Sequence, residues 1–135
     1  PKRQLHKRVG EYSHYQHREM YDLLARRPFE FLVRVAARLA ADLSPLVGES
    51  LSGTAILIDS PPPHREVEFH VDIHFPKEHR YRPLQEGSPV VEALARRQFD
   101  DYVKRVRLFA HPRCAARIAQ VPDLSQHVEQ AVSKA

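Results

Sequence analysis

Tryptophan is absent from this 135-residue chain, cysteine occurs once, and glycine only four times. Each scarcity removes a class of function. With Cys114 alone, no internal disulfide can form and no cysteine-rich zinc site can be built. A reducing, cytoplasmic setting is the expectation that follows. The four glycines form neither a phosphate-cradling loop nor a dinucleotide fingerprint, and no G-x-S-x-G elbow is present. No apolar run approaches the roughly 20 residues of a membrane span. No charged-then-apolar leader opens the sequence, so no membrane partner is expected.

What is present fits one globular domain. The chain is 42% apolar and 28% charged, which is ordinary for a protein with a packed core. Its net charge is +4, and Lys2, Arg3, Lys7 and Arg8 all precede the first acid, Glu11. The rest of the chain is therefore close to neutral. A basic N-terminal segment on a neutral body points to a local anion site more than to a broad nucleic-acid face. Two further basic clusters follow, Lys77–Arg80–Arg82 and Lys104–Arg105–Arg107. Arginine's planar fork suits phosphate oxygens, although solvated surface charge gives the same pattern.

Periodicity divides the chain in two. Residues 11–27 read as a helix on the spacing of Tyr12, Tyr15, Met20, Leu23 and Leu24. After Pro28, the residues Phe29, Leu32, Ala36, Leu39, Ala40 and Leu43 form an apolar stripe that Pro45 and Gly48 close. These two helices are expected to form an antiparallel hairpin over residues 1–48. An α+β core over 53–121 follows, with a C-terminal helix or tail over 122–135. "TAILID" (54–59) reads as a strand, "SPPPH" as a turn, and the run to Phe75 as a second strand pairing antiparallel with the first. Ser88–Pro89 starts a helix reaching Lys104, and "VRLFAH" (106–111) is a third strand. A short helix after Pro112 turns Cys114, Ala115, Ile118 and Ala119 inward, which makes Cys114 a structural thiol. Asp123 caps a last, weak helix. The fold class is thus α+β: a helical hairpin, then β-β-α-β-α with a three-stranded antiparallel sheet covered by helices on one face.

The stretch "EVEFHVDIHF" (66–75) raises the sharpest chemical question. Its odd positions are apolar (Val67, Phe69, Val71, Ile73, Phe75) and its even positions polar (Glu66, Glu68, His70, Asp72, His74). On a strand His70, Asp72 and His74 share a face about 6.5–7 Å apart, a spacing that lets them grip one metal ion. An antiparallel sheet covered on one side shows the same alternation with no ligand at all. The wet-face reading comes first and the metal reading is its alternative. His14 and His17 make a second H-x-x-H pair on the expected first helix, where surface or interface roles come before metal.

Three stretches carry a resemblance: "RQLHKRVGE" (3–11), "TAILIDSPPPHREVEFHVDIHFPK" (54–77) and "SPVVEALARRQFDDYVKRVRLFAHPRCAARI" (88–118). In order and content they resemble the C-terminal region of the HD-domain deoxynucleoside triphosphate triphosphohydrolases. The resemblance is to the branch containing the sterile-alpha-motif/HD-domain enzyme and its bacterial relatives. It covers most of the chain except 12–47. In that family an H…HD…D set upstream of this region holds the catalytic divalent metal, and no His-Asp dipeptide occurs here. The resemblance therefore implies a fragment, or a stand-alone relative, with no catalytic residue and no cofactor of its own. It would be a regulatory and oligomerisation domain of a dNTP triphosphohydrolase. The implied partners are the parent's catalytic HD domain, further copies in a homo-oligomer, and a nucleoside triphosphate effector. Position by position, Arg3 and Lys7 match the R-x-L-x-K residues that contact nucleotide, and Lys77 matches a strand-end lysine. A later basic position of the family falls at Arg80 or Arg82, and Arg82 is the candidate. Two rival readings remain: a basic α+β module binding single-stranded nucleic acid, and a small metalloprotein using His70, Asp72 and His74. The first lacks aromatics on an open sheet face, because Phe69 and Phe75 share their side with Val67, Val71 and Ile73.

Overall fold

A computed structural model describes residues 4–62 and 70–135. Five strands and six helices alternate along these residues: β1 (Lys7–Ser13), α1 (Arg18–Leu24), α2 (Phe29–Val47), β2 (Ile56–Asp59), β3 (Asp72–Phe75), β4 (Arg80–Pro83), α3 (Leu84–Gly87), α4 (Pro89–Val103), β5 (Arg105–Ala110), α5 (Ala115–Ala119) and α6 (Leu124–Lys134). Three strands form an antiparallel sheet in the order β1-β5-β2, and β3 pairs with β4 in a separate hairpin. The class is α+β, and the main sheet is antiparallel, three-stranded and packed with helices, as expected. The strands that compose it differ.

Strand β5 alternates strictly. Val106, Leu108 and Ala110 are fully buried, while Arg105, Arg107 and Phe109 are half-buried on the opposite face. On its inner side lie Tyr12 of β1 and Ile56 of β2, both buried. Helix α2 closes that side with Leu32, Val35, Ala36, Leu39, Ala40, Leu43 and Val47, an i, i+3, i+4 stripe. It packs on β2, on α5 and above all on α6. Its end follows from Gly48, which takes the left-handed conformation at φ 70° that a glycine adopts without strain and donates to Ser44 O. Pro45 sits in the last turn, so the missing donor leaves the helix running to Val47.

The first expected helix is shorter than its apolar spacing suggests. The chain is extended through Ser13 because β1 pairs with β5, from Lys7 opposite Ala110 to Ser13 opposite Arg105. The register shifts between Arg8 and Gly10, leaving Val9 as the extra residue of a bulge. Gly10 suits a close approach: a Cβ there would lie 3.2 Å from Leu108 Cδ1, so the leucine would have to shift by a few tenths of an ångström. Ser13 then breaks the strand, its Oγ accepting from Gln16 N–H (2.9 Å) and its carbonyl from His17 N–H (3.0 Å). Helix α1 begins only at Arg18. It packs on β1, β5 and α6, so α6 rather than α1 is the main helical partner of α2 and the expected hairpin gives way to a three-helix layer.

Other expectations change for equally local reasons. Strands β2 and β3 do not pair; β5 supplies the hydrogen bonds of β2, and β4 those of β3. The expected long strand is described only from His70 onward, and its Phe69 lies outside the described residues. Val71, expected inside, is 42% exposed. Phe29 is 74% exposed at the start of α2, and Ala119 faces solvent at the end of α5, whereas Cys114, Ala115 and Ile118 are buried as expected. The last helix forms as expected but is not weak: Val128 and Ala131 of α6 are fully buried against the α2 side of the core. Helix α4 forms where the Ser88–Pro89 signal places it, yet none of its residues is buried. Among the described residues no helix is long and apolar enough to cross a membrane.

This division of labour gives a direct test. Leu39→Ala should lower stability by about 2–5 kcal/mol, because the side chain is removed from a closed core. Leu94→Ala on α4 should change it by less than about 0.5 kcal/mol, as at an ordinary surface position. Urea midpoints of the two variants measure the difference.

Candidate anion-binding surfaces

The open face of the main sheet is built by the same alternation that makes the core. Inner residues of β5 are aliphatic, so its outward Arg105 and Arg107 share the opposite side with Glu11 and Arg8 of β1 and Asp59 of β2. Glu11 stands opposite Arg107 in the register. Its carboxylate collects Arg8 Nη1 at 3.2 Å, Arg105 Nη1 at 3.1 Å and Arg107 Nε at 3.2 Å. Arg107 also reaches Asp59 Oδ2 at 3.6 Å, and Arg105 reaches Asp101 Oδ2 at 3.6 Å. Lys104 lies 3.2 Å from Asp100. The third basic cluster of the sequence is therefore matched by carboxylates. It ties strands together and is not a free anion surface.

Burial pushes the Glu11 carboxyl up, but the hydrogen bond and charge of Arg105, with the charges of Arg8 and Arg107, outweigh it and hold Glu11 below the usual carboxylate range. A carboxylate so placed is a cross-strand clasp.

The candidate phosphate ligands distribute as follows. Arg3 lies outside the described residues. Lys7 is exposed at the start of β1, and Lys77 is exposed in the turn between β3 and β4. Neither makes an ion pair among the described residues. They belong to different sheets, β1 to the three-stranded one and Lys77 to the hairpin. Arg82 is already engaged. Its Nη2 donates to both oxygens of Glu78 at 2.7 Å, and its guanidinium lies 5.0 Å from the Phe75 ring centroid. Arg80 Nε donates to the same carboxylate at 2.8 Å, and these hydrogen bonds from Arg80 and Arg82 hold Glu78 below its ordinary range. A phosphate at Arg82 would compete with Glu78.

The polar row keeps its alternation: Asp72 and His74 are exposed, Ile73 and Phe75 half-buried. His70 Nε2 is 3.5 Å from Asp72 Oδ1, while the His74 ring tilts against Tyr81 with centroids 5.0 Å apart. Among the described residues no group of three His, Cys, Asp or Glu side chains is placed to hold a metal ion. His14 and His17 flank a turn and do not share a helix face; the His14 ring meets Tyr21 edge-on at 5.2 Å and His17 meets Tyr12 at 6.0 Å.

Two features were not read from the sequence. One is the Glu11 clasp, whose signal was present in the i, i+2 arginines of a strand opposite an acid, but whose partners are 96 positions apart. The other is a cavity of ≈450 Å³ where β1, β2 and β5 end together, with His6, Thr54, His111 and Arg113 in its wall. Its residues come from three distant stretches, and no local spacing announces it.

Glu11→Gln tests the clasp. Because the folded-state carboxyl is held below its unfolded value, the stabilisation is present above the ordinary carboxylate pKa and is lost as pH falls through the folded value. At pH 7 the variant should be less stable by about 1 kcal/mol. The gap to wild type should close on acidification below about pH 4. Thermal melts of both proteins from pH 7 to pH 3 measure it; a gap independent of pH would refute the ionic account.

No family model, curated protein or solved structure matches the chain.

Proposed function

We propose that this chain is the regulatory and assembly domain of a larger metal-dependent nucleotide phosphohydrolase, to which its sequence resembles the C-terminal region of the HD-domain dNTP triphosphohydrolases. Helix α4 carries the proposal. It is 15 residues long and has no buried residue, with Val90, Val91, Leu94 and Tyr102 exposed at 70, 51, 63 and 65%. A helix of that length buries an apolar stripe somewhere, because isolated helices are marginal in water. An uncovered stripe of this kind suits a protein–protein contact, here with the catalytic HD domain or a further copy.

The exposed, unpaired Lys7 and Lys77 support the nucleotide part of the reading. Both are free to neutralise phosphates, and their placement on separate surfaces suits effector sites completed by a neighbouring subunit. Arg3, four positions before Lys7 in the sequence, would be the second ligand that the resemblance implies. The chain itself carries no HD set, so metal-activated water would be supplied by the parent's catalytic domain.

The test uses the complete gene product. Its reading frame upstream of Pro1 should encode an H…HD…D helical domain. In that protein, Leu94→Asp should weaken assembly about tenfold or more, the cost of burying a charge at an apolar contact. Arg3→Ala with Lys7→Ala should abolish nucleotide-dependent assembly while leaving the fold intact. Sedimentation velocity with and without nucleoside triphosphate reads both. Assembly and nucleotide response unchanged in these variants would overturn the assignment.

A further inference from the structure

The cavity at the end of the main sheet is independent of the α4 surface and of Lys77. Its walls are the last residue before β1 (His6), the loop entering β2 (Ser52, Thr54) and the segment leaving β5 (His111, Arg113). Leu51 and Leu57 give it an apolar side. We infer that this cavity binds a small phosphomonoester, with the phosphate at Arg113 and His111 and the apolar body against Leu51 and Leu57.

The polar side is preassembled. His111 N–H donates to Ala55 O (2.8 Å), which fastens the exit of β5 to the entrance of β2. His111 Nδ1 accepts the main-chain N–H of Arg113 at 3.2 Å, so Nε2 carries a proton and is a donor for an anion. The His6 ring lies edge-on to His111 with centroids 5.7 Å apart, and its Nε2 donates to Thr54 O at 3.2 Å. The hydroxyls of Ser52 and Thr54 are 3.2 Å from each other, leaving donor and acceptor capacity on the pair.

Charge favours an anion despite the presence of Glu49. That carboxylate faces the same cavity, but Arg117 Nη2 holds it, and Arg117 Nη1 also donates to Val47 O at 2.8 Å at the end of α2. The hydrogen bond from Arg117, followed by the charges of Arg117, Arg113 and His111, keeps Glu49 below the usual carboxylate range. With Glu49 matched by Arg117, the charge of Arg113 is left over: its guanidinium makes no ion pair among the described residues. A fork of free N–H donors beside the His111 Nε2–H and two hydroxyls matches a phosphate dianion. The volume of ≈450 Å³ exceeds a bare phosphate and leaves room for the group it esterifies.

Phenyl phosphate is the probe, with inorganic phosphate and phenol as its two halves. In ¹H–¹⁵N spectra of the chain, phenyl phosphate should shift the amides of Ser52, Thr54, His111 and Arg113. It should bind more tightly than phosphate, and phenol should not bind. Arg113→Ala removes an exposed side chain and should weaken phenyl phosphate binding about tenfold or more, the loss of a hydrogen bond to a charged group. Lys7→Ala, which attacks the proposed effector site, should change it by no more than about twofold, an exposed charge acting through solvent. No shift at these four amides, shifts spread over Lys7, Arg8 and Lys77 instead, or unchanged binding in Arg113→Ala would each overturn the inference. A short oligonucleotide bound equally by wild type and Arg113→Ala would likewise place anion recognition elsewhere.

Discussion

Everything in this protein is referred to strand β5. Among the described residues it is the only strand of the main sheet paired along both edges, to β1 on one side and β2 on the other. Its inner residues Val106, Leu108 and Ala110 lie at zero exposure, which is possible only because α1, α2, α5 and α6 cover that face. Its outer residues Arg105 and Arg107 must then face away from the core with Glu11 and Asp59. Burial of one side and ionic matching of the other are therefore one constraint, imposed by the two-residue period of a strand. A one-residue slip of β5 would place two guanidinium groups in the core and the aliphatic triad in water, so the register is strongly specified.

That constraint also explains what the sequence made legible. Strand β5 could be read because its pattern is local and strict. Helix α2 could be read because its stripe from Leu32 to Leu43 repeats with helical spacing. Strand β1 could not. Its Tyr12, followed by Tyr15, Met20 and Leu23, mimics a helical spacing, and the partner that decides otherwise lies about a hundred residues later in the chain. Val9 in the bulge further blurs the alternation. The strength of α6 was hidden for a related reason: Val128 and Ala131 are few and small, and only their packing against α2 shows that they are buried.

Sites were less legible than elements because charge in a sequence does not reveal its partner. Arg105, Arg107 and Arg82 read alike as basic residues, and all three prove to be matched, by Glu11, Asp59, Asp101 and Glu78. Lys7, Lys77 and Arg113 look no different in the sequence and are unmatched among the described residues. The alternating His70–Asp72–His74 row was the most conspicuous chemical pattern, and it keeps the wet-and-dry alternation over Asp72–Phe75 with its two histidines turned to different neighbours.

The same distinction separates the two faces on which function is argued. On the sheet's open face each arginine is satisfied, and an incoming phosphate would have to displace a carboxylate already in place at 3.1–3.6 Å. Displacement returns little, since the charge-assisted bonds lost resemble those gained. At the sheet's end the balance differs: Arg117 is committed to Glu49, which leaves the charge of Arg113 for whatever enters between His111 and Thr54. An anion there gains contacts and breaks no ion pair. Arg105, Arg107 and Arg117 are committed to ties between elements, and the proposed phosphate site rests on a cation which that internal matching leaves over.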